Sequence, residues 1–128
     1  MAKILVVDDD ARNLRLAVTV LEQAGHTVLS ADNGIKGIAL AQQQRPDLVF
    51  MDVQMPDMDG IVALQHLRTN PRTTSLRVIA LSALAMKGDA ERLLAAGFDG
   101  YFEKPIEYKS FLTAIERLLS QLRRSRRL

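Results

Sequence analysis

The sequence predicts an α/β fold, a doubly wound five-stranded parallel sheet with helices on both faces. Three observations lead there. Short apolar runs alternate strictly with longer segments of helical period, and each strand–helix unit takes roughly 20–25 residues. Two of the runs, Ile4-Leu5-Val6-Val7 and Leu48-Val49-Phe50-Met51, are apolar throughout, as expected of strands buried on both faces. No linker, repeat or low-complexity stretch interrupts the chain of 128 residues, so one domain is expected over 1–122, followed by a basic tail at 123–128.

Taken in order, Ile4–Val7 is the first strand, stopped by Asp8-Asp9-Asp10. Leu14, Ala17, Val18 and Leu21 recur at helical spacing, and Gly25 ends that helix. Thr27–Ala31 reads as the second strand. Asn33 caps a helix through Gln44, with Pro46 beyond its end. Leu48–Met51 is the third strand, followed by the turn-rich Met55-Pro56-Asp57-Met58-Asp59-Gly60. Ile61–Leu67 is helical, and Asn70-Pro71 breaks the chain. Arg77–Leu81 is the fourth strand, Met86–Ala96 a helix closed by Gly97, and Gly100–Glu103 the fifth strand. Tyr108–Leu122 is the last helix, with Phe111, Ile115, Leu118 and Leu122 inward.

Composition narrows the function. With no cysteine, disulfides, thiolate metal sites and cysteine nucleophiles are excluded. No apolar run approaches the ~20 residues of a membrane span, and the opening residues predict no secretory leader. The formal charge of +2 would suggest a polyanion partner, but its distribution argues otherwise. Residues 117–128 hold Arg117, Arg123, Arg124, Arg126 and Arg127 and no acid, which leaves 12 basic against 15 acidic residues in positions 1–116. The body is mildly acidic and the basic character belongs to the end of the last helix, where arginines also complement the helix dipole.

In open parallel sheets, ligands bind beyond the carboxyl ends of the strands, at the switch in strand order. The residues there are Asp8, Asp9 and Asp10 after strand one, Asp52 after strand three, Ser82 after strand four and Lys104-Pro105 after strand five. If the order is 2-1-3-4-5, the carboxylates of strands one and three converge. Converging carboxylates require a cation or a raised pKa, and all-oxygen ligation suits Mg²⁺ or Mn²⁺. A carboxylate can also attack phosphorus to form an aspartyl-phosphate, with an ammonium and a hydroxyl contacting the phosphoryl oxygens. Each residue alone has an ordinary reading: Asp10 as a helix cap, Asp52 with Lys104 as a structural ion pair, Ser82 as a strand-end hydroxyl. The combination at four strand ends points to a phosphoryl-accepting site.

Four stretches carry a resemblance to a known family: Ile4-Leu5-Val6-Val7-Asp8-Asp9, the segment Leu48-Val49-Phe50-Met51-Asp52-Val53-Gln54-Met55-Pro56-Asp57-Met58-Asp59-Gly60, Val78-Ile79-Ala80-Leu81-Ser82-Ala83, and Gly100-Tyr101-Phe102-Glu103-Lys104-Pro105. Together they resemble the receiver domain of two-component response regulators, the CheY-like family with its flavodoxin-like fold, over residues 3 to about 122. The resemblance implies strand order 2-1-3-4-5 and a phosphorylation-dependent switch rather than an enzyme with an external substrate. It makes Asp52 the phosphoacceptor. Asp9 would ligate Mg²⁺ directly and Asp8 mainly through water, with Asp52 and the backbone carbonyl of Gln54 completing the set. Ser82 and Lys104 would hold the phosphoryl oxygens, Lys104-Pro105 would be cis, and Tyr101 would be the switch aromatic that moves inward as Ser82 turns. Gln54 and Leu84 occupy the positions that tune phosphoryl lifetime. Leu84 offers no polar group to align a water, so self-dephosphorylation should take minutes or longer.

Ala85-Met86-Lys87-Gly88-Asp89 is similar to single-domain receivers of the DivK type and to receivers attached to hybrid kinases. The chain is accordingly expected to be a stand-alone cytoplasmic receiver without an output domain. Its phosphodonor would be a histidine kinase or histidine phosphotransfer protein, since His26 (in a turn) and His66 (in a short helix) suit surface or packing roles. Its output would be a protein partner at the face of the fourth helix, fifth strand and last helix, with a phosphorylation-linked homodimer as an option and no membrane or nucleic-acid partner. Exposure of Leu112 and Leu119 would support that face, although either could be core. Asp8-x-Asp10 also resembles the nucleophile and acid of haloacid-dehalogenase-like phosphatases. Against that, Arg12 stands where their motif wants threonine, the chain is short, and no later acidic pair follows Lys104. Binding of nucleic-acid phosphates by the arginine tail would be non-specific and steeply salt-dependent.

Overall fold

The central strands are apolar because both their faces are covered, and the order of the strands follows from that. The computed structural model describes residues 2–83 and 88–126, with side chains as far as Gln121. Its elements are β1 (Lys3–Val7), α1 (Ala11–Gln23), β2 (Thr27–Ala31), α2 (Gly34–Gln44), β3 (Leu48–Asp52), α3 (Gly60–Arg68), β4 (Arg77–Ser82), α4 (Asp89–Ala96), β5 (Gly100–Glu103) and α5 (Tyr108–Arg126). All four strand pairings are parallel, in the order β2-β1-β3-β4-β5. Every residue of β3 is buried, whereas β2 and β5 at the edges alternate or are partly exposed.

Alternation along the strands splits the core into two layers. Leu5 and Val7 of β1 join Val49 and Met51 of β3 with Leu64, Leu67 and Leu93 of α3 and α4. Ile4 and Val6 join Leu48 and Phe50 with Leu21 of α1 and Phe111 and Ile115 of α5. On this second face Phe111 stacks at tilted or edge geometry on Phe50 (5.0 Å between centroids) and Phe102 (5.1 Å), the offset arrangement that aromatic quadrupoles favour.

Local chemistry sets the helix ends. The Asp10 carboxylate accepts from the N–H groups of Arg12 and Asn13 at the start of α1, and Asn33 and Asp59 cap α2 and α3 in the same way. Gly25 and Gly97 follow α1 and α4 with positive φ. Two helix boundaries bear on the sequence reading. Helix α4 spans Asp89–Ala96 after Gly88 in a left-handed conformation, and the expected start at Met86 lies outside the described residues. Helix α5 continues to Arg126 rather than ending at Leu122, because strong helix formers follow and no glycine or proline stops it. Leu84, Ala85, Met86 and Lys87 lie outside the described residues, as do Arg127 and Leu128 and the side chains of Leu122, Arg123, Arg124 and Arg126.

Candidate functional site

The carboxyl ends of β1, β3, β4 and β5 lie side by side, and each delivers its polar residue to one place. Asp8, just past β1, is buried, as are Asp52 and Ser82, the last residues of β3 and β4. Lys104 follows β5 and is half-buried. Its ammonium lies 3.1 Å from Asp8 Oδ2 and 3.1 Å from Asp52 Oδ2, bridging the two acids. Asp9 is exposed, yet carboxylate oxygens of Asp8, Asp9 and Asp52 all fall within 4.8 Å of one another. Backbone groups orient the acids: the Asp10 N–H donates to Asp8 Oδ1 (2.9 Å) and the Gln54 N–H to Asp52 Oδ1 (3.2 Å). The Lys104 N–H donates to the Ser82 carbonyl (2.9 Å), tying the last strand end to the fourth, and the Lys104-Pro105 peptide is cis.

The electrostatics follow from burial. Desolvation pushes the Asp52 carboxyl up to about 7; the Lys104 ammonium opposes this and the Asp8 carboxylate adds to it. Burial works against the charge on Lys104, but Asp52 and Asp8 outweigh it and hold the ammonium above its usual range. A buried acid pair with one ammonium and a third carboxylate at the mouth is a hard, all-oxygen donor set, which suits Mg²⁺ and has no soft ligand for zinc.

The sequence reading placed Asp8, Asp9, Asp10, Asp52, Ser82 and Lys104 at these strand ends, and the resemblance added the carbonyl of Gln54; the fold brings Asp8, Asp9, Asp52 and Lys104 together, with the Lys104 N–H on the Ser82 carbonyl and the Gln54 N–H on Asp52. Tyr101 stands apart: it is 41% exposed on β5, opposite Ala80, and faces a groove beside α5. Leu112 and Leu119 do not mark a partner face. Leu119 is buried and Leu112 half-buried against the Phe50–Phe111 layer, because they continue the inward stripe of α5. Asp10 is engaged as the α1 cap, which removes the acid that a phosphatase reading requires. His66 is exposed near the end of α3; the His26 side chain is buried, with Nε2 3.3 Å from Glu116 Oε1.

Sequence reasoning missed two supports of the site. A Cβ on Gly60 would collide with the Asp52 carbonyl oxygen, so only glycine lets α3 start this close to the end of β3. Its N–H donates to the Val53 carbonyl at 2.8 Å, closing the loop under Asp52. The signal was present in Asp59-Gly60, but a cap followed by glycine does not reveal what lies behind it. Glu107 caps α5 by accepting from the N–H groups of Lys109 and Ser110, a role that its long side chain disguised.

Fold and site together define an α/β domain that gathers an acidic, cation-accepting cluster and a lysine at the switch point of its sheet. Within that class, the chain belongs to the response regulator receiver domain family, whose sequence profile matches residues 4–116; this places it in two-component signalling. It is 34% identical over 116 residues to the polar-differentiation response regulator DivK of Brucella anthropi, covering 91% of this chain and 94% of that one. The signal receiver domain of a signal transduction histidine kinase from Syntrophus aciditrophicus superposes with a TM-score of 0.87 at 31% identity, over 97% of this chain and 94% of that one. The receiver domain of a sensor histidine kinase from Pseudomonas aeruginosa, solved with magnesium coordinated in its active-site cleft, superposes with a TM-score of 0.84 at 30% identity, over 93% and 98%.

Proposed function

We propose that the chain is a phosphorylation-controlled switch in which Asp52 accepts a phosphoryl group from a phosphohistidine of a histidine kinase or phosphotransfer protein. The observation that carries this reading is the Lys104 ammonium set between the buried carboxylates of Asp8 and Asp52, 3.1 Å from each, beside Asp9. Asp8, Asp9 and Asp52, with the carbonyl of Gln54, would hold Mg²⁺. Bound there, the ion supplies charge neutralisation for the incoming phosphoryl oxygens. Asp52 attacks phosphorus, the P–N bond breaks as the O–P bond forms, and the leaving imidazole nitrogen takes up a proton. Lys104 pairs with one phosphoryl oxygen and Ser82, at the adjoining strand end, donates to another. Tyr101, exposed before reaction, turns inward behind Ser82. The chain thus promotes its own phosphorylation and its slow dephosphorylation, acts in the cytoplasm, and signals through the α4–β5–α5 face to a partner protein or to a second copy of itself.

The test is peptide mapping by mass spectrometry after treatment with acetyl phosphate and Mg²⁺. One phosphoryl group should map to Asp52, be lost in Asp52→Asn and fall at least ten-fold in rate in Lys104→Ala. A phosphoryl group on Asp8, or undiminished labelling of Asp52→Asn, overturns the assignment.

A further inference from the structure

Five large apolar or aromatic side chains are exposed among the described residues, and two of them, Ile35 of α2 (66%) and Val62 of α3 (40%), flank one groove. Scattered singly they would need no explanation; sharing a groove, they do. The Arg68 guanidinium donates to the Gly97 carbonyl and to Asp99, each at 2.9 Å, which turns that flank of α3 toward α4 and β5. At about 100° per residue, His66 points away from Arg68 and Val62 lies beside His66, so both border the groove between α3 and α2. On α2, Ile35 and the exposed Ala39 are one turn apart. Gly34, next to Ile35, is buried with the Met58 side chain against it, which brings this edge of α2 to the start of α3. The middle of the groove carries almost no charge. Lys36 is the only charged residue of α2, and its ammonium pairs with Asp32 at 3.2 Å. At the end nearest the phosphoryl site stand Asp57 and Asp59, both exposed and in no ion pair among the described residues.

We propose that this groove docks a short basic amphipathic helix of a partner protein, its apolar stripe laid over Ile35, Ala39 and Val62 and its cationic end against Asp57 and Asp59. A charge-poor apolar centre with a charged rim is the usual anatomy of an interface, and the groove between two packed helices accepts the ridge of a third. Ala39, small beside its larger neighbours, leaves room for a bulky side chain of that ridge. The unpaired carboxylates select cations and fix which end of the helix lies beside them. Among the described helices of this chain, α1 comes nearest to such chemistry, with Arg12 and Arg15 beside the exposed Leu16. It offers one large apolar side chain where Ile35 and Val62 call for two, and a head-to-tail contact of that kind would not close into a dimer. A separate partner is therefore the better fit. The groove borders the loop that follows Asp52 but uses none of Asp8, Asp9, Asp52, Ser82 or Lys104, so docking there needs no phosphoryl group.

The experiment is to pan a random peptide library against the full chain, to titrate the selected peptides into labelled protein by NMR, and to sediment the chain alone. The expected peptides carry apolar residues at i, i+4 spacing with Lys or Arg toward one end. They shift Ile35, Ala39 and Val62 and bind at least ten-fold more weakly to Ile35→Glu and to Val62→Glu. Asp57→Asn removes a charge and keeps a residue that tolerates the left-handed backbone there (φ 68°), and it should weaken them at least three-fold. All three variants should keep the wild-type melting temperature and label Asp52 within two-fold of wild type. Peptides without basic residues, shifts confined to another face, or unchanged affinity in Ile35→Glu and Val62→Glu overturn the proposal, as does a library that yields no binder to this groove. Self-association of the chain alone that Arg15→Glu and Val62→Glu both abolish makes α1 of a second copy the occupant and overturns it as well.

Discussion

Burial and charge pairing compete at Asp52. The folded state raises this carboxyl from its ordinary 3.8 to about 7, chiefly by desolvation. In metal-free protein the folded form therefore binds a proton that the unfolded chain has released. The resulting stabilisation is complete below pH ~4 and is lost as the pH rises toward about 7. Melting temperature measured in a chelator should fall across that window. Asp52→Asn should flatten the curve and, at pH 8, exceed the wild-type stability by roughly 1–3 kcal/mol; coincident melting curves for the two proteins would contradict this account. The candidate residues were legible because acids and a lysine after apolar runs have few other reasons to be there. Asp10 caps α1, as its ordinary reading had it, but the different burial of the other two was not legible: Asp8 is buried and bridged to Lys104, and Asp9 is exposed. Three adjacent aspartates take three environments because the chain turns from strand to helix across them.

Among the elements, α3 shows how tightly secondary structure constrains the site. Its first residue, Gly60, sits against the backbone of Asp52 and Val53, and these atoms cannot rotate away as a side chain would. Gly60→Ala should cost about 2–3 kcal/mol in urea unfolding and should lower phosphorylation of Asp52 by pushing the end of β3 aside. A variant with full stability and full labelling would show that the loop has room the geometry denies. Strands were legible to within a residue, since period and apolarity are local properties: β2 and β5 match the reading and β1, β3 and β4 differ by one residue at an end. Helix ends were less so. Gly88 supplies the left-handed turn before α4, and α5 runs past its last described core contact, Leu119, through residues of good helix propensity.

Across the whole molecule, one side chain ties together the end of the sheet opposite the phosphoryl site. The Arg68 guanidinium donates to the carbonyls of Thr74, Leu76 and Gly97 and to Asp99 Oδ2, which also accepts from the Val78 N–H. It joins the ends of α3 and α4 to the starts of β4 and β5. Arg68→Ala should destabilise the protein by about 2 kcal/mol, a figure discounted for the partial exposure of the pair, while leaving acetyl-phosphate labelling of Asp52 within two-fold of wild type. A collapse of labelling at unchanged stability would mean that this network reaches the site. The sequence by itself determined the class of fold, the strands and the identities of the acids and the lysine, because apolar period and residue type are carried locally. Tertiary structure decided which acids meet, that burial raises the Asp52 carboxyl, and why residue 60 has no side chain. Those properties depend on distances between segments far apart in the chain, as between Asp8 and Lys104, and only the packing of sheet and helices sets such distances.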